Sequence, residues 1–430
     1  MTIPQIHELF LKNNSISTDT RKVSKGDLFF ALKGDNFNGN KFANQALDKG
    51  AKYVIIDEEE YCTNKEKTIL VKDVLRTLQE LATFHRNYLK LPIIALTGSN
   101  GKTTTKELIN AVLSKAYNTT ATKGNLNNHI GVPLTLLSMT KSTEIGIIEM
   151  GANHLKEIDF LCSIAEPDYG YITNFGKAHL EGFGGIEGVI KGKTELYNYL
   201  KVNNKLIFVN SNDTKQLEHS KNSQTITFGN TKTNNVTITL NKAQPFIHVN
   251  YETLEIKSQL IGIYNFNNIA ASICIGSYFK VKNTDIQEAL ENYIPKNNRS
   301  QIIKKGNNKI ILDAYNANPT SMKAALSNFS SLKESQSIKK TAILGDMFEL
   351  GKEAKLEHQN IVDLASRLNI DNVILVGENF FKTKSSDSKV MQFQSFEALK
   401  INFKSIVSNS SSILIKGSRG MALERILDLL

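Results

Sequence analysis

The stretch IIALTGSNGKTT, residues 93–104, decides the fold of the chain around it. Its apolar first part is typical of a buried strand, and the run KELINAVLSKAY at 106–117 places apolar residues at helical spacing. The glycine-rich segment between them therefore joins a strand to a helix, which is where a phosphate-binding loop lies. Leu96 stands where the general loop pattern has its first glycine. The alternative is a glycine-rich turn that binds nothing.

The loop predicts contacts with a nucleotide. Gly98 and Gly101 would let backbone N–H groups point at phosphate oxygens. Lys102 would reach the β- and γ-phosphates, and the Thr103 hydroxyl would contact Mg²⁺. The predicted nucleotide-binding residues of the loop are Gly98, Ser99, Asn100, Gly101, Lys102, Thr103 and Thr104.

Strand-like and helical runs continue to alternate beyond the loop. Strand-like runs lie at 144–151, 169–176 and 205–210, and a helical run covers 187–200. Shorter alternating strands near 225–260 and helices near 265–292 are expected to complete this domain. This alternation predicts a parallel sheet covered by helices on both faces.

The segments on either side repeat the α/β pattern. An amphipathic helix is predicted over 74–88, after short strand-like runs. From residue 300, four strand-like runs are each followed by a helical run, namely KIILDAYN, TAILGDM, NVILVGE and SSILIKGS. The sequence therefore predicts an α/β protein of three domains: a small α/β N-terminal domain (1–88), a central parallel-sheet domain of the phosphate-loop ATPase kind (89–297) and a C-terminal Rossmann-like domain (298–430).

Composition narrows the class of protein. The net charge of +10 comes from dispersed lysines without interleaved aromatic residues, which favours a solvated surface and anionic small molecules over nucleic acid. Cys62, Cys162 and Cys274 lack the spacing of a disulfide framework or a zinc site. No apolar stretch approaches the roughly 18 residues that span a bilayer, and the N-terminus has no basic leader followed by an apolar core. We expect a cytoplasmic protein that is not inserted in a membrane.

Further sequence blocks follow the loop in a fixed order. They are NLNNHIGVPLTLL at 125–137, EMGANH at 149–154, NFGKAHLEGFGG at 174–185, DAYNANPTSM at 313–322, LGDMFELG at 344–351 and KGSRGM at 416–421. Together with TGSNGKTT they make the chain resemble the Mur ligases from end to end. Within that family, STDTR at 17–21, YNANP and GDMFELG resemble the member that adds D-alanyl-D-alanine to UDP-N-acetylmuramoyl-tripeptide.

The resemblance implies an ATP-dependent ligase that forms an amide bond through an acyl phosphate during peptidoglycan precursor synthesis. It implies two Mg²⁺ ions and a carbamylated lysine beside ATP, no nucleic acid as a partner, and a monomer. Such a reaction brings a carboxylate against the γ-phosphate, so metal ions and fixed cations are needed to neutralise charge.

Four residues would carry the chemistry if the resemblance holds: Lys102, Glu149, His179 and Lys193. Thr103, Glu149, His179 and Lys193 match the metal-ligand positions of the family. Lys193 matches the lysine that reacts with CO₂, although Lys191 is close enough to confuse the assignment. We prefer Lys193 because the apolar-aromatic pair Leu196-Tyr197 lies three residues downstream. The alternative is two surface lysines at the start of a helix.

Three residues outside the loop match nucleotide-contacting positions of the family. Asn268 matches an adenine-side asparagine, while Arg299 and Asp313 match residues that reach ATP from the third domain. Tyr264 stands where the family has a histidine, which puts any role of that side chain in doubt. As an alternative, Asn265, Asn267 and Asn268 could cap a helix.

Substrate contacts are implied in all three domains. Ser17, Asp19 and Arg21 would grip the UDP end together with the 34–42 stretch, although an Asx-type turn is a competing explanation for the first three. Candidates for the muramoyl peptide are Thr122, Asn125, Asn127 and Asn128. Candidates for the incoming dipeptide are Asn316, Asn318, Pro319, Lys416 and Arg419.

Two other functions remain open at this point. A sister ligase with the same chemistry would accept a free amino acid instead of the dipeptide. A non-enzymatic ATP-binding switch or nucleic-acid-binding protein is permitted by the charge, and its binding to nucleic acid would depend steeply on salt. That second alternative leaves Glu149, His179 and Lys193 without a purpose.

Overall fold

The computed structural model describes residues 1–13, 15–335, 337–407 and 411–430. Within these ranges the chain forms three α/β domains built on sheets of four, nine and six strands, together with a small two-stranded hairpin. The predicted fold class is therefore confirmed, while the predicted domain limits stay a prediction. No helix in the described ranges is both long and apolar enough to cross a bilayer.

The N-terminal domain has a parallel sheet in the order β1-β2-β5-β6. Its elements are α1 (Ile3–Leu11), β1 (Ile16–Ser17), β2 (Leu28–Phe30), β3 (Lys33–Gly34), β4 (Phe37–Asn38), α2 (Ala43–Asp48), β5 (Tyr53–Ile56), β6 (Thr68–Leu70) and α3 (Val74–Leu89). Helix α3 confirms the predicted amphipathic helix. It is capped at its start by Asp73, whose side chain accepts from the Arg76 backbone N–H, and at its end by Lys90, which adopts a left-handed conformation.

The central domain begins with β7 (Ile93–Thr97), α4 (Lys102–Leu113), β8 (Thr119–Ala121), α5 (Gly131–Leu137), β9 (Ile145–Glu149), α6 (Glu157–Ala165) and β10 (Tyr169–Ile172). It continues with α7 (Leu180–Phe183), α8 (Ile186–Val202), β11 (Leu206–Asn210), α9 (Thr214–His219), β12 (Gln224–Gly229), β13 (Val236–Lys242), β14 (His248–Tyr251), β15 (Leu254–Lys257), α10 (Asn265–Tyr278) and α11 (Asn283–Glu291). The strand order is β15-β14-β13-β12-β11-β10-β7-β9-β8. Strand β7 is wholly buried between β9 and β10, and all three run parallel.

The C-terminal domain contains β16 (Gln301–Lys305), β17 (Asn308–Asp313), α12 (Pro319–Ser331), β18 (Lys339–Gly345), α13 (Ala354–Arg367), β19 (Asn372–Val376), α14 (Glu378–Phe381), β20 (Val390–Phe393), α15 (Phe396–Ile406) and β21 (Ser411–Lys416). The order is β16-β17-β21-β18-β19-β20, with β16 antiparallel to β17 and the other pairs parallel. The four predicted strands are confirmed. Strands β16 and β20 were not predicted, and 3-10 turns replace the helix expected after β21.

One apolar cluster reaches into all three domains, and each domain also has a buried cluster of its own. A single cluster of buried side chains includes Phe30 from the N-terminal sheet, Leu136 from the central domain and Leu326 from the C-terminal domain. Because the carboxyl ends of β7, β9 and β10 lie at one edge of the central sheet, the loops that follow them meet there. The start of α12 contacts these loops, so the C-terminal domain covers that edge.

Candidate active site

A cavity of about 800 Å³ lies between the central sheet and the C-terminal domain. Most of the residues predicted from the sequence line it. These are Ser99, Asn100, Gly101, Lys102, Thr103, Thr104, Asn125, Asn127, Asn128, Glu149, His179, Asn268, Arg299, Asp313, Asn316, Asn318 and Lys416. The structure therefore brings together residues that lie more than 300 positions apart in the sequence.

The loop between β7 and α4 is held by the turn after β10. The Ser99 hydroxyl donates to the carbonyl of Gly176 at 2.6 Å, and the Ser99 backbone N–H donates to the carbonyl of Asn174 at 3.0 Å. Gly98 has φ 139°, and a Cβ there would lie 2.0 Å from the Thr173 hydroxyl. Only glycine fits this close approach, so the loop's shape explains its first glycine.

Lys102 begins α4 and bends back over the loop. Its Nζ donates to the carbonyl of Gly98 at 2.7 Å. Burial lowers the pKa of Lys102, Glu149 opposes this shift, and the nearby charge of Arg299 adds to it. The ammonium group thus lies in a desolvated place where a second cation is close, which favours an anionic ligand such as a phosphate group.

Glu149 ends β9 with its side chain only 1% exposed. Its Oε1 accepts from Asn127 Nδ2 at 2.8 Å, while Oε2 is buried and has no hydrogen-bond partner among the described residues. A buried carboxylate oxygen without a partner is costly. A cation at the cavity wall would satisfy it.

His179 lies in the turn that starts α7 and has φ 52°. Its Nδ1 lies 2.5 Å from Glu349 Oε2 of the C-terminal domain. The interaction with His179 is the main cause that lowers the pKa of Glu349. The GDMFELG block of the C-terminal domain therefore places the carboxylate of Glu349 beside His179 of the central domain.

Lys193 lies on the buried face of α8, whereas Lys191 is exposed. The Lys193 Nζ donates to the carbonyl of Ala152 at 3.1 Å and lies 5.0 Å from the centre of the Phe183 ring. Burial and the neighbouring Lys102 lower the pKa of Lys193 well below its usual range. Lys193 does not itself line the cavity, but its acceptor Ala152 does.

Asn268 on α10 supports the phosphate loop from below. Its Oδ1 accepts from the Thr105 hydroxyl at 3.0 Å, and its Nδ2 donates to Asn265 Oδ1 at 2.8 Å. A Cβ on Gly101 would lie 2.7 Å from Asn268 Oδ1. The alternative that these asparagines cap a helix is wrong for Asn265 and Asn268, because α10 begins without a side-chain cap.

The C-terminal wall of the cavity carries paired charges. Lys416, which is 1% exposed, donates to Asp313 Oδ2 at 2.7 Å and to the carbonyl of Asn316 at 3.2 Å. The guanidinium of Arg299 lies 3.8 Å from the centre of the Tyr315 ring, a cation–π contact. Lys416 is thus balanced by Asp313, while Arg299 adds a cation close enough to lower the pKa of Lys102 in the phosphate loop.

Several predicted site residues lie outside the cavity lining. Thr122 is buried behind Glu149, where its hydroxyl accepts from the Glu149 backbone N–H at 3.0 Å. The Thr122 side chain is 1% exposed, and its direct contact with substrate stays a prediction. Pro319 is the first residue of α12 and is buried, and its contact with the dipeptide stays a prediction. Gly98 and Arg419 also lie outside the lining, and Arg419 pairs with Glu424 at 3.1 Å.

The N-terminal candidates lie apart from the cavity. Asp19 accepts from the Arg21 backbone N–H at 2.9 Å and pairs with the Arg21 side chain at 2.8 Å. This arrangement is the Asx-type turn that competed with a binding role. The pairing with Arg21 lowers the pKa of Asp19 to about 2. Ser17 joins the turn through its hydroxyl, which donates to the Asp19 carbonyl at 3.0 Å.

Sequence reasoning missed three residues that shape the cavity. Asn174 accepts from the Asn100 backbone N–H at 3.2 Å, Tyr315 stacks on Arg299, and Thr320 accepts from the Lys177 backbone N–H at 2.9 Å. All three lie within blocks that the sequence had singled out. Membership of these blocks could therefore have marked the three residues as candidates, although the residues that they contact could not be predicted from the sequence.

The residues present fit a magnesium ion held jointly with a nucleotide. No cluster of three or more His, Cys, Asp or Glu side chains that could hold a metal alone is found in the described part of the chain. Magnesium usually takes one or two carboxylates together with phosphate oxygens and water. The unpartnered oxygen of Glu149 and the hydroxyl of Thr103, which both line the cavity, suit that mode.

A phosphate loop, a buried carboxylate and cations from two domains around one cavity define the class of protein: an α/β nucleotide-binding enzyme. Comparison with known proteins gives the family. Residues 13–86 match the model of the Mur ligase family catalytic domain, 96–276 the Mur ligase middle domain, and 298–419 the Mur ligase glutamate ligase domain. The chain belongs to the Mur ligase family.

Similar proteins extend over nearly the whole chain. UDP-N-acetylmuramoyl-tripeptide–D-alanyl-D-alanine ligase of Bacillus subtilis is 36% identical over 96% of this chain and 92% of its own length. A crystal structure of MurF from Acinetobacter baumannii matches with a TM-score of 0.86 at 29% identity and covers 100% of this chain and 98% of that chain. MurF from Thermotoga maritima in complex with ADP matches with a TM-score of 0.84 at 27% identity and covers 98% and 97%.

Proposed function

We propose that this ligase uses ATP to join D-alanyl-D-alanine to UDP-N-acetylmuramoyl-tripeptide, giving the pentapeptide precursor of peptidoglycan, ADP and phosphate. Relatives from several bacteria that match nearly the whole chain are named UDP-N-acetylmuramoyl-tripeptide–D-alanyl-D-alanine ligase, which supports these two substrates. The observation that carries the mechanism is the shared cavity, where Lys102 and Glu149 from the central domain face Arg299 and Lys416 from the C-terminal domain.

The first step forms an acyl phosphate. A carboxylate oxygen of the tripeptide attacks the γ-phosphorus of ATP, the bond to the bridging oxygen breaks, and ADP leaves. Lys102 and the loop N–H groups would hold the β- and γ-phosphates, while Arg299 would neutralise charge from the opposite wall. Bound magnesium would supply Lewis-acid neutralisation of the phosphate oxygens. Thr103, Glu149 and His179 would hold it.

The second step forms the amide. The dipeptide amine attacks the acyl carbon, the tetrahedral intermediate collapses, phosphate leaves, and the amine loses a proton. Asn316, Lys416 and Arg419 would bind the dipeptide, because two cations and an amide suit a terminal carboxylate. Holding both reactants in one closed cavity can lower the barrier by about 7–11 kcal/mol.

Lys193 would be carbamylated. A neutral amine attacks CO₂ and releases a proton to give a carbamate, which replaces a cation by an anion. The buried position and lowered pKa of Lys193 favour the neutral amine. A carbamate there would also relieve its repulsion with Lys102.

The outer residues would bind the substrate's two other parts. Ser17, Asp19 and Arg21 would contact the UDP end, and Asn125, Asn127 and Asn128 would line the path of the muramoyl peptide. Asn268 and Asp313 would support the nucleotide, Asn268 by holding the loop. Cytoplasmic location and a monomeric state stay predictions.

The acyl phosphate is tested by isotope transfer. Tripeptide substrate with ¹⁸O in the reacting carboxylate should pass one ¹⁸O to the released phosphate when ATP and D-alanyl-D-alanine are present, as read by mass spectrometry. Phosphate that carries no label would contradict activation of the carboxylate by ATP.

A further inference from the structure

Asn318 caps α12 with one end of its side chain. Its Oδ1 accepts from the Ser321 backbone N–H at 2.9 Å, and its own backbone N–H donates to the Ser321 hydroxyl at 3.1 Å. These two bonds form a reciprocal capping box. Because the oxygen is used by the helix, the orientation of the carboxamide is fixed and Nδ2 is left as a donor.

That donor reaches the phosphate loop of the other domain. Asn318 Nδ2 donates to Asn100 Oδ1 at 2.7 Å, and Asn318 is 6% exposed. The backbone of Asn100 is fixed from the opposite side, since its N–H donates to Asn174 and its carbonyl accepts from Thr173 and Asn174. The side chain of Asn100 is thus oriented by the C-terminal domain.

Close packing surrounds this bond. A Cβ on Gly176 would lie 2.8 Å from Asn100 Nδ2 and 3.2 Å from Thr320. The hydroxyl of Thr320 accepts from the Lys177 backbone N–H, and Lys177 Nζ pairs with Glu357 at 2.5 Å. The start of α12 is therefore seated on the phosphate loop and on the turn that holds it.

We propose that Asn318 is a positioning residue that couples docking of the C-terminal domain to the shape of the phosphate loop. Its Oδ1 caps α12 and its Nδ2 binds the side chain of Asn100. The C-terminal domain, which also forms the opposite wall of the cavity, therefore holds the phosphate loop in this form. This role differs from the direct dipeptide contact expected from the sequence. It rests on the proposed function in one respect, that the loop binds ATP.

The test uses a substitution that separates the two bonds. Asn318→Ser keeps a good helix cap but lacks the Nδ2 that reaches Asn100. Asn100→Ala removes the acceptor. We expect each variant to lower kcat about five-fold, as for the loss of one net hydrogen bond, with the melting temperature kept. The double variant should be no slower than either single variant, because both remove the same bond. Asn402→Ser on the exposed face of α15 is the control.

A second readout does not require turnover. Hydrogen exchange measured by mass spectrometry in the full chain should rise about five-fold in the loop peptide 97–104 of Asn318→Ser and stay unchanged in α12. If the parent shows no ligase activity, the proposed function fails while this exchange still tests the coupling. Additive losses in the double variant, unchanged loop exchange, or a higher KM for the dipeptide alone would overturn the proposal. The last result would make Asn318 a substrate contact.

Discussion

The cavity and the N-terminal STDTR turn hold charge in opposite ways. Glu149, which lines the cavity, is 1% exposed and has one oxygen without a hydrogen-bond partner among the described residues, and Lys193, whose Nζ donates to the cavity-lining Ala152, is 0% exposed. In the turn, the Arg21 side chain is 85% exposed, and its charge is paired with that of Asp19, two residues earlier in the same turn. Buried charge that lacks full compensation costs stability, whereas exposed pairs are screened by solvent. The charges of the turn are already paired, whereas the cavity leaves charge for a ligand to balance, and the proposed function assigns chemistry to the cavity and substrate binding to the turn.

The largest expected effect comes from Glu149→Gln, which keeps the shape of the side chain but removes its charge. We expect phosphate release to fall by about 100-fold or more, since an electrostatic contact to the reacting groups is lost. The melting temperature should stay the same or rise, because a buried charge is removed. Activity above about a tenth of the parent would remove Glu149 from the mechanism.

Lys193→Met tests the buried lysine and has Lys191→Met as a matched control on the exposed face of the same helix. We expect about 100-fold loss with Lys193→Met and near-parental turnover with Lys191→Met. Labelled bicarbonate should give a carbamate carbon signal by ¹³C NMR in the parent and in Lys191→Met only. The same signal in all three proteins would contradict carbamylation of Lys193.

Arg21→Ala tests the exposed N-terminal turn, the other region in the comparison with the cavity. We expect KM for the UDP substrate to rise about ten-fold while kcat and the KM for ATP stay unchanged, since only substrate binding is affected. The melting temperature should not change, because the ion pair is exposed. A fall in kcat with KM unchanged would instead assign the turn to the chemical step.

The smallest expected effect concerns a pair of buried histidines where the N-terminal domain contacts the central domain. His7 Nε2 lies 2.9 Å from His85 Nδ1, and His85 Nε2 lies 2.9 Å from the carbonyl of Met139 in the central domain. Since the carbonyl can only accept, His85 donates to it, and the His85 Nδ1 accepts from His7. Burial, with a smaller effect of His85, lowers the pKa of His7 from 6.5 to about 4.

The sign of the pH dependence follows. Above the unfolded pKa of 6.5 both states are neutral, so the stabilisation is complete. It is lost as the pH falls from 6.5 toward 4, at up to about 1.4 kcal/mol per pH unit for one histidine. Urea midpoints at pH 7 and pH 5 should show a smaller acid loss in His7→Gln than in the parent. Equal losses in both proteins would contradict a role of His7 in acid sensitivity.

Local pattern accounts for what the sequence predicted well. The run 93–97 became β7 because it is apolar throughout, and a strand buried on both faces needs that pattern. Strand β20 was missed because its four residues are only partly buried. It lies at the edge of the sheet, and its residues do not alternate between buried and exposed positions, so the sequence shows no strand periodicity there. The antiparallel β16 begins at the end of the polar segment KNNRSQ, residues 296–301, and its pairing with β17 cannot be read from composition.

Long-range partners limited the prediction of the site. The sequence blocks located Glu149 and His179, but not the carboxylate of Glu349 beside His179, because that contact depends on how two domains dock. Thr122 was assigned to the path of the muramoyl peptide together with Asn125, Asn127 and Asn128, while its hydroxyl accepts from the Glu149 backbone N–H in the structure. Only the helix geometry of α8 separates buried Lys193 from exposed Lys191.

The most direct test of the central claim is phosphate release by the purified protein with Mg²⁺-ATP and UDP-N-acetylmuramoyl-tripeptide, compared with D-alanyl-D-alanine, single amino acids or no acceptor. The proposed function predicts turnover with the dipeptide only. Turnover with a single amino acid in place of the dipeptide would contradict the proposed acceptor. No turnover with any acceptor would contradict the ligase mechanism itself.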